Sequence, residues 1–268
     1  MVRFNQSRPA HVRTLFLSDV HLGFKRARAA ELGDFLQTIE ADTIILVGDI
    51  IDALSLRQRF FWSEHHSRVV QLLLAKRRAG ARLLYLPGNH DASLAAFAPL
   101  LQGQVEVHRE WVHRTARGER LLVLHGDQFD EVLHTGGWLH RLGEAMYDMT
   151  VVFSDHLNDL RRLLHRSYWP IAARLKVAVG ESLRYIESFE DMALAHAAER
   201  GYDGIVCGHI HRANLRRVGE AVYCNTGDWV ESCSALIEEP DGALRLWQLG
   251  DPLGAGAERP VPLLADAA

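Results

Sequence analysis

The chain has 268 residues and a formal net charge of −4, so it is long enough for one large core and too acidic overall to suggest a general affinity for nucleic acid. No stretch approaches the ~20 apolar residues of a membrane-spanning helix, and no apolar signal segment is visible near the amino terminus. The three cysteines, Cys207, Cys224 and Cys233, have no C-x-x-C spacing, so we expect reduced thiols in a cytoplasmic protein rather than a disulfide framework or a thiolate metal site.

The first half of the chain alternates predicted strands with predicted helices. Short apolar runs predict strands over residues 14–17, 43–47 and 82–86. Apolar residues at helical spacing predict helices over residues 27–40, 62–79 and 92–101. Residues 1–12 show no such pattern and are expected to form a flexible arm.

The second half begins with a predicted hairpin over residues 111–124 and then changes character. Residues 128–200 lack strand-like runs and carry helical apolar spacing, which predicts a helical insertion. Further strands are predicted over residues 204–207, 221–226, 234–237 and 243–249. The unpatterned residues 251–268 are expected to form a flexible tail. The chain is therefore predicted to be an α/β sandwich of mixed sheets, with one main domain over residues 13–250.

Five of the predicted strands end in Asp, Asn or His, usually beside a glycine that allows a sharp turn. In open α/β sheets the ligand crevice lies outside the carboxyl ends of the strands, so we expect these side chains to converge. They are Asp19, His21, Asp49, Asn89, His90, His125, His209 and His211. One such histidine alone would be read as a turn residue, and Asp49 alone as a helix cap. Eight together favour a metal site.

Imidazole, carboxylate and amide ligands without thiolate suit manganese, iron or zinc. Seven ligands are too many for one ion of ordinary coordination number, so we expect two divalent ions that share one bridging carboxylate. Two metals ~3.5–4 Å apart polarise a phosphoryl oxygen and favour in-line displacement. The pattern therefore predicts hydrolysis of a phosphoester or a diphosphate.

Five blocks of the sequence, in this order, resemble those of the calcineurin-like metallophosphoesterases. The blocks are Ser18-Asp19-Val20-His21, Gly48-Asp49, Gly88-Asn89-His90-Asp91, His125-Gly126-Asp127 and Gly208-His209-Ile210-His211. The resemblance implies a β-sandwich flanked by helices, and two metal ions, with manganese expected before iron or zinc. It implies that one ion is held by Asp19, His21, Asp49 and His211. The other would be held by Asp49, Asn89, His125 and His209.

The resemblance also implies a catalytic pair, His90 and Asp91. His90 is similar to the family's non-ligand histidine, which protonates the leaving oxygen or stabilises charge at phosphorus, and Asp91 is expected to orient it and raise its pKa. Asp52, Asp127 and Asp130 could either orient histidines of the site or cap loops.

Within the family, the layout is similar to the UDP-2,3-diacylglucosamine diphosphatases of lipid A biosynthesis. The chain length, the insertion between the His125 and His209 blocks and the segment Asn225–Trp229 carry this similarity. It implies a nucleotide-linked lipid substrate, a cap over its acyl chains formed by residues 128–200, and a peripheral contact with the inner face of the membrane. In that group the position of His90 is typically arginine, and this departure concerns the substrate rather than the metal chemistry.

Two other functions remain open from the sequence. The chain could be a generic nucleotide phosphodiesterase or nuclease of the same superfamily, although its acidic charge argues against long nucleic acid. It could also be a non-catalytic scaffold, since a retromer subunit shares this fold. The sequence leaves the oligomeric state undetermined.

Overall fold

The computed structural model describes residues 9–94, 96, 103–133 and 171–253. The strands are β1 (Ala10–Leu17), β2 (Ile39–Val47), β3 (Arg82–Leu86), β4 (Glu106–Val107), β5 (Trp111–Arg114), β6 (Arg120–Val123), β7 (Gly204–Cys207), β8 (Asn214–Val218), β9 (Ala221–Asn225), β10 (Ser234–Glu238) and β11 (Leu244–Gln248). The helices are α1 (Ala29–Thr38), α2 (Ala53–Gln58), α3 (Glu64–Arg78), α4 (Gln128–Leu133) and α5 (Ile171–Glu199).

The strands form two mixed sheets. The six-stranded sheet has the order β11-β10-β1-β2-β3-β4, and the five-stranded sheet has the order β5-β6-β7-β9-β8. Strands β1 to β4 are parallel to one another, and so are β6, β7 and β9. The loops after β1, β2 and β3 therefore leave the larger sheet at one edge, and those after β6 and β7 leave the smaller sheet at one edge.

Apolar side chains fill the space between the sheets. Phe16, Ile45 and Leu84 of the larger sheet pack in one cluster with Leu121 and Val206 of the smaller sheet. All five side chains are fully buried. Because side chains alternate across a strand, the neighbouring residues of β1 and β2 face the opposite way.

That opposite face is covered by helices. Leu15 and Ile44 belong to a second buried cluster with Leu32 and Phe35 of α1 and Val69 of α3. A strand that is buried on both faces reads as a continuous apolar run in the sequence. This is why β1, β2 and β3 were visible without a structure.

The predicted α/β class, with two sheets and flanking helices, is confirmed. Strand β1 begins earlier than predicted, because Ala10 pairs with Ile39 of β2, so the last residues of the predicted arm belong to the sheet. Helix α2 and strands β4 and β8 were missed. Two of these are very short, and β8 is a largely polar edge strand paired only with β9 among the described strands. Of the helix predicted over residues 92–101, the structure describes a single turn at 92–94.

The chain divides into two compact units, one made of Met1–Asp127 with Leu194–Ala268 and the other of Gln128–Ala193. Within the second unit, Tyr185 donates a hydrogen bond to Asp130, and the rings of Phe129 and Phe189 lie 5.5 Å apart. The insertion over residues 128–200 stays a prediction, because residues 134–170 lie outside the described part of the chain. Among the described helices, none has the length and apolar character needed to cross a membrane.

Candidate metal centre

The loops that carry the predicted ligands are joined by backbone hydrogen bonds beyond the strand ends. The amide of Asp19 donates to the carbonyl of Gly48 over 3.0 Å, and the amide of His21 donates to the carbonyl of Asp49 over 2.9 Å. In the smaller sheet, the amide of Gly208 donates to the carbonyl of His125 over 3.0 Å. The parallel pairing of the strands thus continues into the loops and sets the spacing of the side chains.

Several predicted ligands share an uncommon backbone conformation. A positive φ angle between 50° and 69° is found at Asp19, His21, Asp49, His209 and His211. Left-handed backbone costs a residue with a side chain roughly 1–2 kcal/mol, and it persists only where the surroundings over-determine it. Such residues cluster at functional sites, so the backbone conformation supports a functional site at this edge of the sheets.

The first group of side chains gathers around Asp19. Its Oδ1 atom lies 3.2 Å from Nε2 of His211 and 3.9 Å from Nε2 of His21. The two imidazoles approach each other with their Nε2 atoms 3.3 Å apart. The other oxygen of Asp19, Oδ2, accepts a hydrogen bond from the amide of His209 over 3.0 Å.

The second group gathers around Asp49 and His125. Nε2 of His125 lies 3.3 Å from Oδ2 of Asp49 and 3.3 Å from Oδ1 of Asn89. The Nδ1 atom of His125 lies 2.9 Å from the carbonyl of Val47, which orients the ring. The rings of His125 and His209 have centroids 5.2 Å apart, so His209 approaches this group from β7.

The two groups overlap. In each of three sets, the potential ligand atoms lie within 4.8 Å of one another: Asp19, His21 and His211; His21, Asp49 and His90; and Asp19, Asp49 and His125. Asp49 shares one set with His21 and another with His125, and so does Asp19, so both carboxylates are within ligand distance of the two groups.

Glycines make this close approach possible at two loops. A Cβ atom on Gly88 would overlap Oδ1 of Asp49 and the ring of His125. A Cβ atom on Gly208 would overlap Oδ2 of Asp19 and the hydroxyl of Ser18. Any side chain at either position would push the candidate ligands apart.

The charges of the centre fit a divalent cation. Asp19 and Asp49 are buried, and burial raises their pKa values, but neighbouring histidines, His211 for Asp19 and His125 for Asp49, lower them below the ordinary range. The two carboxylates are therefore ionised. Among the described residues, Oδ1 of Asp19 has no donor in hydrogen-bonding geometry, and its contact with Nε2 of His211, at 3.2 Å, is electrostatic. A buried, ionised oxygen in this position requires a cation beside it, which can be a protonated imidazole or a metal ion.

The same two carboxylates raise the pKa of His125. Burial lowers its pKa, but the charges of Asp49 and Asp19 and the hydrogen bond to Asp49 outweigh burial and raise the pKa to about 10. A metal ligand must be a neutral imidazole. A cation bound here would take the place of the proton on Nε2 of His125, between that nitrogen and the carboxylate of Asp49.

His90 is held by a residue other than the one predicted. Its Nδ1 atom lies 3.1 Å from Oδ1 of Asp52, and this hydrogen bond, against the opposing effect of burial, raises the pKa of His90. Oδ2 of Asp52 lies 3.4 Å from Nδ1 of His21. Asp52 also caps helix α2, because its Oδ1 accepts from the amide of Ser55 over 2.7 Å.

The prediction that Asp91 orients His90 was therefore wrong. Asp91 is fully buried and accepts the backbone amides of Gly88 at 2.6 Å, Ile50 at 2.7 Å and Ile51 at 3.3 Å. Its carboxylate is used to join the loops after β2 and β3. Asp52, for which the sequence left orientation and capping open, performs both tasks. Its spacing of three residues after Asp49 was the available signal, because the helix that it caps was not predicted.

A model of the calcineurin-like phosphoesterase family matches residues 12–213, which is more than half of the chain. A UDP-2,3-diacylglucosamine hydrolase from Proteus mirabilis (strain HI4320) is 30% identical over 123 residues. The match covers 42% of this chain and 48% of that protein. The chain thus spans about half the length of this curated relative.

Solved structures of low sequence identity also resemble the chain. One is an archaeal phosphodiesterase, with 12% identity, a TM-score of 0.44, and coverage of 88% of this chain and 99% of that chain. Another is a Vps29 variant from Entamoeba histolytica, with 15% identity, a TM-score of 0.44, and coverage of 89% and 93%. At these TM-scores the likeness carries no argument about function.

Proposed function

We propose that this chain, which belongs to the calcineurin-like phosphoesterase family, is a hydrolase of a phosphoanhydride or phosphodiester that uses two divalent metal ions. The observation that carries the proposal is the overlap of the ligand-distance sets, because Asp49 shares one set with His21 and another with His125, and so does Asp19. A carboxylate between two groups of donors is suited to bridge two ions.

The residues divide into two ligand sets around the carboxylate of Asp49. One ion would be held by Asp19, His21, Asp49 and His211. The second would be held by Asp49, Asn89, His125 and His209. Nitrogen and oxygen donors of this kind suit manganese first, with iron and zinc as alternatives. When bound, such a pair of ions polarises a phosphoryl oxygen and activates water for in-line attack.

His90 supplies the proton for the leaving group. Asp52 engages its Nδ1 atom, which leaves Nε2 as the nitrogen that can donate to a leaving oxygen. The His90 side chain is partly exposed, as a group that meets substrate must be. The acidic partner also favours the protonated ring that this role requires.

For the substrate, we favour a diphosphate that links a nucleotide to a lipid, as in UDP-2,3-diacylglucosamine. The relative from Proteus mirabilis carries the name of such a hydrolase. A second observation is the segment that follows Asp52, in which Phe60 is 78% exposed and Leu54 and Phe61 are also exposed. Exposed Arg57 and Arg59 lie between them. Exposed apolar side chains mixed with cations suit the surface of an anionic bilayer.

A nucleotide phosphodiesterase is the second candidate. The observation that favours it is His90 itself, because the lipid A diphosphatases typically have arginine at this position. A third reading is a scaffold, which would need neither the ionised pair Asp19 and Asp49 nor the Asp52–His90 contact.

The experiment is a comparison of substrates with purified protein and added manganese. Hydrolysis of UDP-2,3-diacylglucosamine, a cyclic nucleotide, single-stranded DNA and a soluble model diester is measured for the wild type and for His90→Ala. We expect the first substrate to be the best and His90→Ala to be slow on all of them. No hydrolysis of any substrate by the wild type would contradict the proposed activity. Equal rates for the wild type and His90→Ala would contradict the proposed role of His90.

A further inference from the structure

The segment Asn225–Trp229, which we call the brace, contacts two of the loops that carry candidate ligands. It connects β9 to the turn before β10. One of the two loops, residues 18–21, follows β1 and carries Asp19 and His21. The other, residues 208–211, follows β7 and carries His209 and His211.

Asn225 bonds the brace to the second loop. The residue is fully buried, and its Nδ2 atom donates to the carbonyl of Gly208 over 2.6 Å. Its Oδ1 atom accepts from the amide of Gly227 over 3.0 Å. The amide of Thr226 donates to the carbonyl of Cys207 over 2.9 Å. These bonds hold the carbonyls of Cys207, the last residue of β7, and of Gly208, which directly precedes His209.

Thr226 and Trp229 bond the brace to the first loop. The hydroxyl of Ser18 donates to the carbonyl of Gly227 over 2.9 Å. Since a hydroxyl has one proton, the contact of 2.5 Å between the hydroxyls of Ser18 and Thr226 has Thr226 as its donor. The amide of Trp229 donates to the carbonyl of Asp19 over 3.0 Å.

The brace is itself anchored in the core. The ring of Trp229 is fully buried, with its centroid 5.5 Å from that of Phe35 and 6.2 Å from that of Trp247. Its carbonyl accepts from the amide of Arg28 over 2.7 Å. A shift of the brace would therefore disturb an aromatic cluster, which makes the brace a rigid support.

The two loops need such a support because their backbone is strained. Each carries two residues with positive φ angles, Asp19 and His21 in the first and His209 and His211 in the second. Left-handed residues relax unless surrounding contacts hold them. The brace hydrogen-bonds both loops, through Ser18 and Asp19 of the first and through Gly208 and the preceding Cys207 of the second.

We propose that the brace is a positioning element that sets the affinity of the centre for its metal ions, through the hydroxyl of Thr226 and the amide of Asn225. The inference rests on the proposed function, since it assumes that Asp19, His209 and His211 are metal ligands. Partners that orient ligands without touching the ion typically change metal affinity 10–100-fold when they are removed.

The test compares two threonine variants that lose the same kind of bond. Thr226→Val removes the hydroxyl that donates to Ser18 without changing the size of the side chain. Thr14→Val is the matched control, because Thr14 is also buried and its hydroxyl donates to Oε2 of Glu238 over 2.7 Å, outside the centre. Thr226→Ser keeps the hydroxyl. Manganese dissociation constants are measured by equilibrium dialysis on folded protein, well below each unfolding midpoint.

We expect both valine variants to lower the unfolding temperature, and only Thr226→Val to weaken manganese binding, by about tenfold. Thr226→Ser should bind manganese as the wild type does, and excess manganese should restore hydrolysis by Thr226→Val. Equal dissociation constants for Thr226→Val and Thr14→Val would overturn the inference while leaving the proposed function intact. A wild type that binds no manganese and hydrolyses no ester would overturn both.

Discussion

Nδ1 of His90 lies 3.1 Å from Oδ1 of Asp52, the N-cap residue of helix α2. The two are 38 positions apart in the chain and are brought together by the parallel pairing of β2 with β3. The ring that we propose as proton donor is thus held from a helix end. The carboxylate next to it in sequence, Asp91, joins backbone loops instead.

Replacing Asp52 with asparagine should lower kcat about 10–100-fold, because His90 loses the charged acceptor that orients it and favours its protonated form. Asparagine caps a helix about as well as aspartate, so helix α2 should persist. Steady-state kinetics on a soluble diester with manganese, together with the unfolding temperature, measure the two effects. Asp42→Asn is the control, since Asp42 is exposed and pairs with His11 on the surface. An unchanged kcat for Asp52→Asn would remove Asp52 from the mechanism.

Manganese should raise the unfolding temperature of the wild type, because a ligand at 100 times its dissociation constant stabilises the folded state by about 2.7 kcal/mol. His211→Ala should reduce this gain. The His211 side chain is 37% exposed, so its loss removes little packing and should change metal-free stability only slightly.

Thermal melts with and without manganese, and after treatment with a chelator, give the comparison. His65→Ala, at an exposed position on α3, should keep the full gain. If His211→Ala also keeps it, His211 is not a ligand.

Glu238 should make the free energy of unfolding decrease as the pH falls into the acidic range. Its carboxylate is fully buried, and although burial raises its pKa, hydrogen bonds from His113, Thr14 and the amide of Ala116 lower it to about 2. Arg13 contributes an ion pair. A carboxylate whose pKa is depressed by folding contributes stability that is fully present above its unfolded pKa of 4.5 and is lost as the pH falls through about 2.

At 1.36 kcal/mol per pKa unit, this contribution is about 3 kcal/mol. Between pH 6 and pH 2, the free energy of urea unfolding should therefore fall by about 3 kcal/mol more in the wild type than in Glu238→Gln. The exposed Glu220 provides a control in Glu220→Gln, which should follow the wild type. Parallel curves for the wild type and Glu238→Gln would contradict the assignment.

The double variant Phe60→Ser, Phe61→Ser should bind less to vesicles that contain anionic phospholipid. Burying one phenylalanine side chain contributes about 1.5–3 kcal/mol, and Phe60 is largely exposed in the protein. Vesicle pelleting and hydrolysis of a lipid-linked diphosphate should both fall, while hydrolysis of a soluble diester stays at the wild-type level. Val218→Ser changes an exposed apolar residue on β8 and should leave pelleting unchanged. Loss of hydrolysis on both substrates would instead place the two phenylalanines in the catalytic crevice.

The strands that carry the centre were predictable because both of their faces are buried. The apolar run 82–86 coincides with β3, and the run 43–47 matches the second half of β2. The first half of β2, residues 39–42, was missed, and its first two residues had been predicted as the end of a helix. Strand β8 was not predictable in this way, because an edge strand with the sequence Asn214–Val218 is held by backbone pairing to β9 rather than by burial. Helix α2 was missed for a similar reason, since it is six residues long and depends on its Asp52 cap.

The sequence by itself determined which side chains could form the centre and that they follow strand ends. Residue type and position relative to an apolar run are local properties, and Asp19, Asp49 and His125 are readable from them. Only the tertiary structure decided which side chains contact one another. Asp52 rather than Asp91 contacts His90, and Thr226 contacts Ser18 across 208 positions of the chain. Contacts of this kind depend on the register between strands and on the direction in which each loop leaves its sheet, and no local pattern records either.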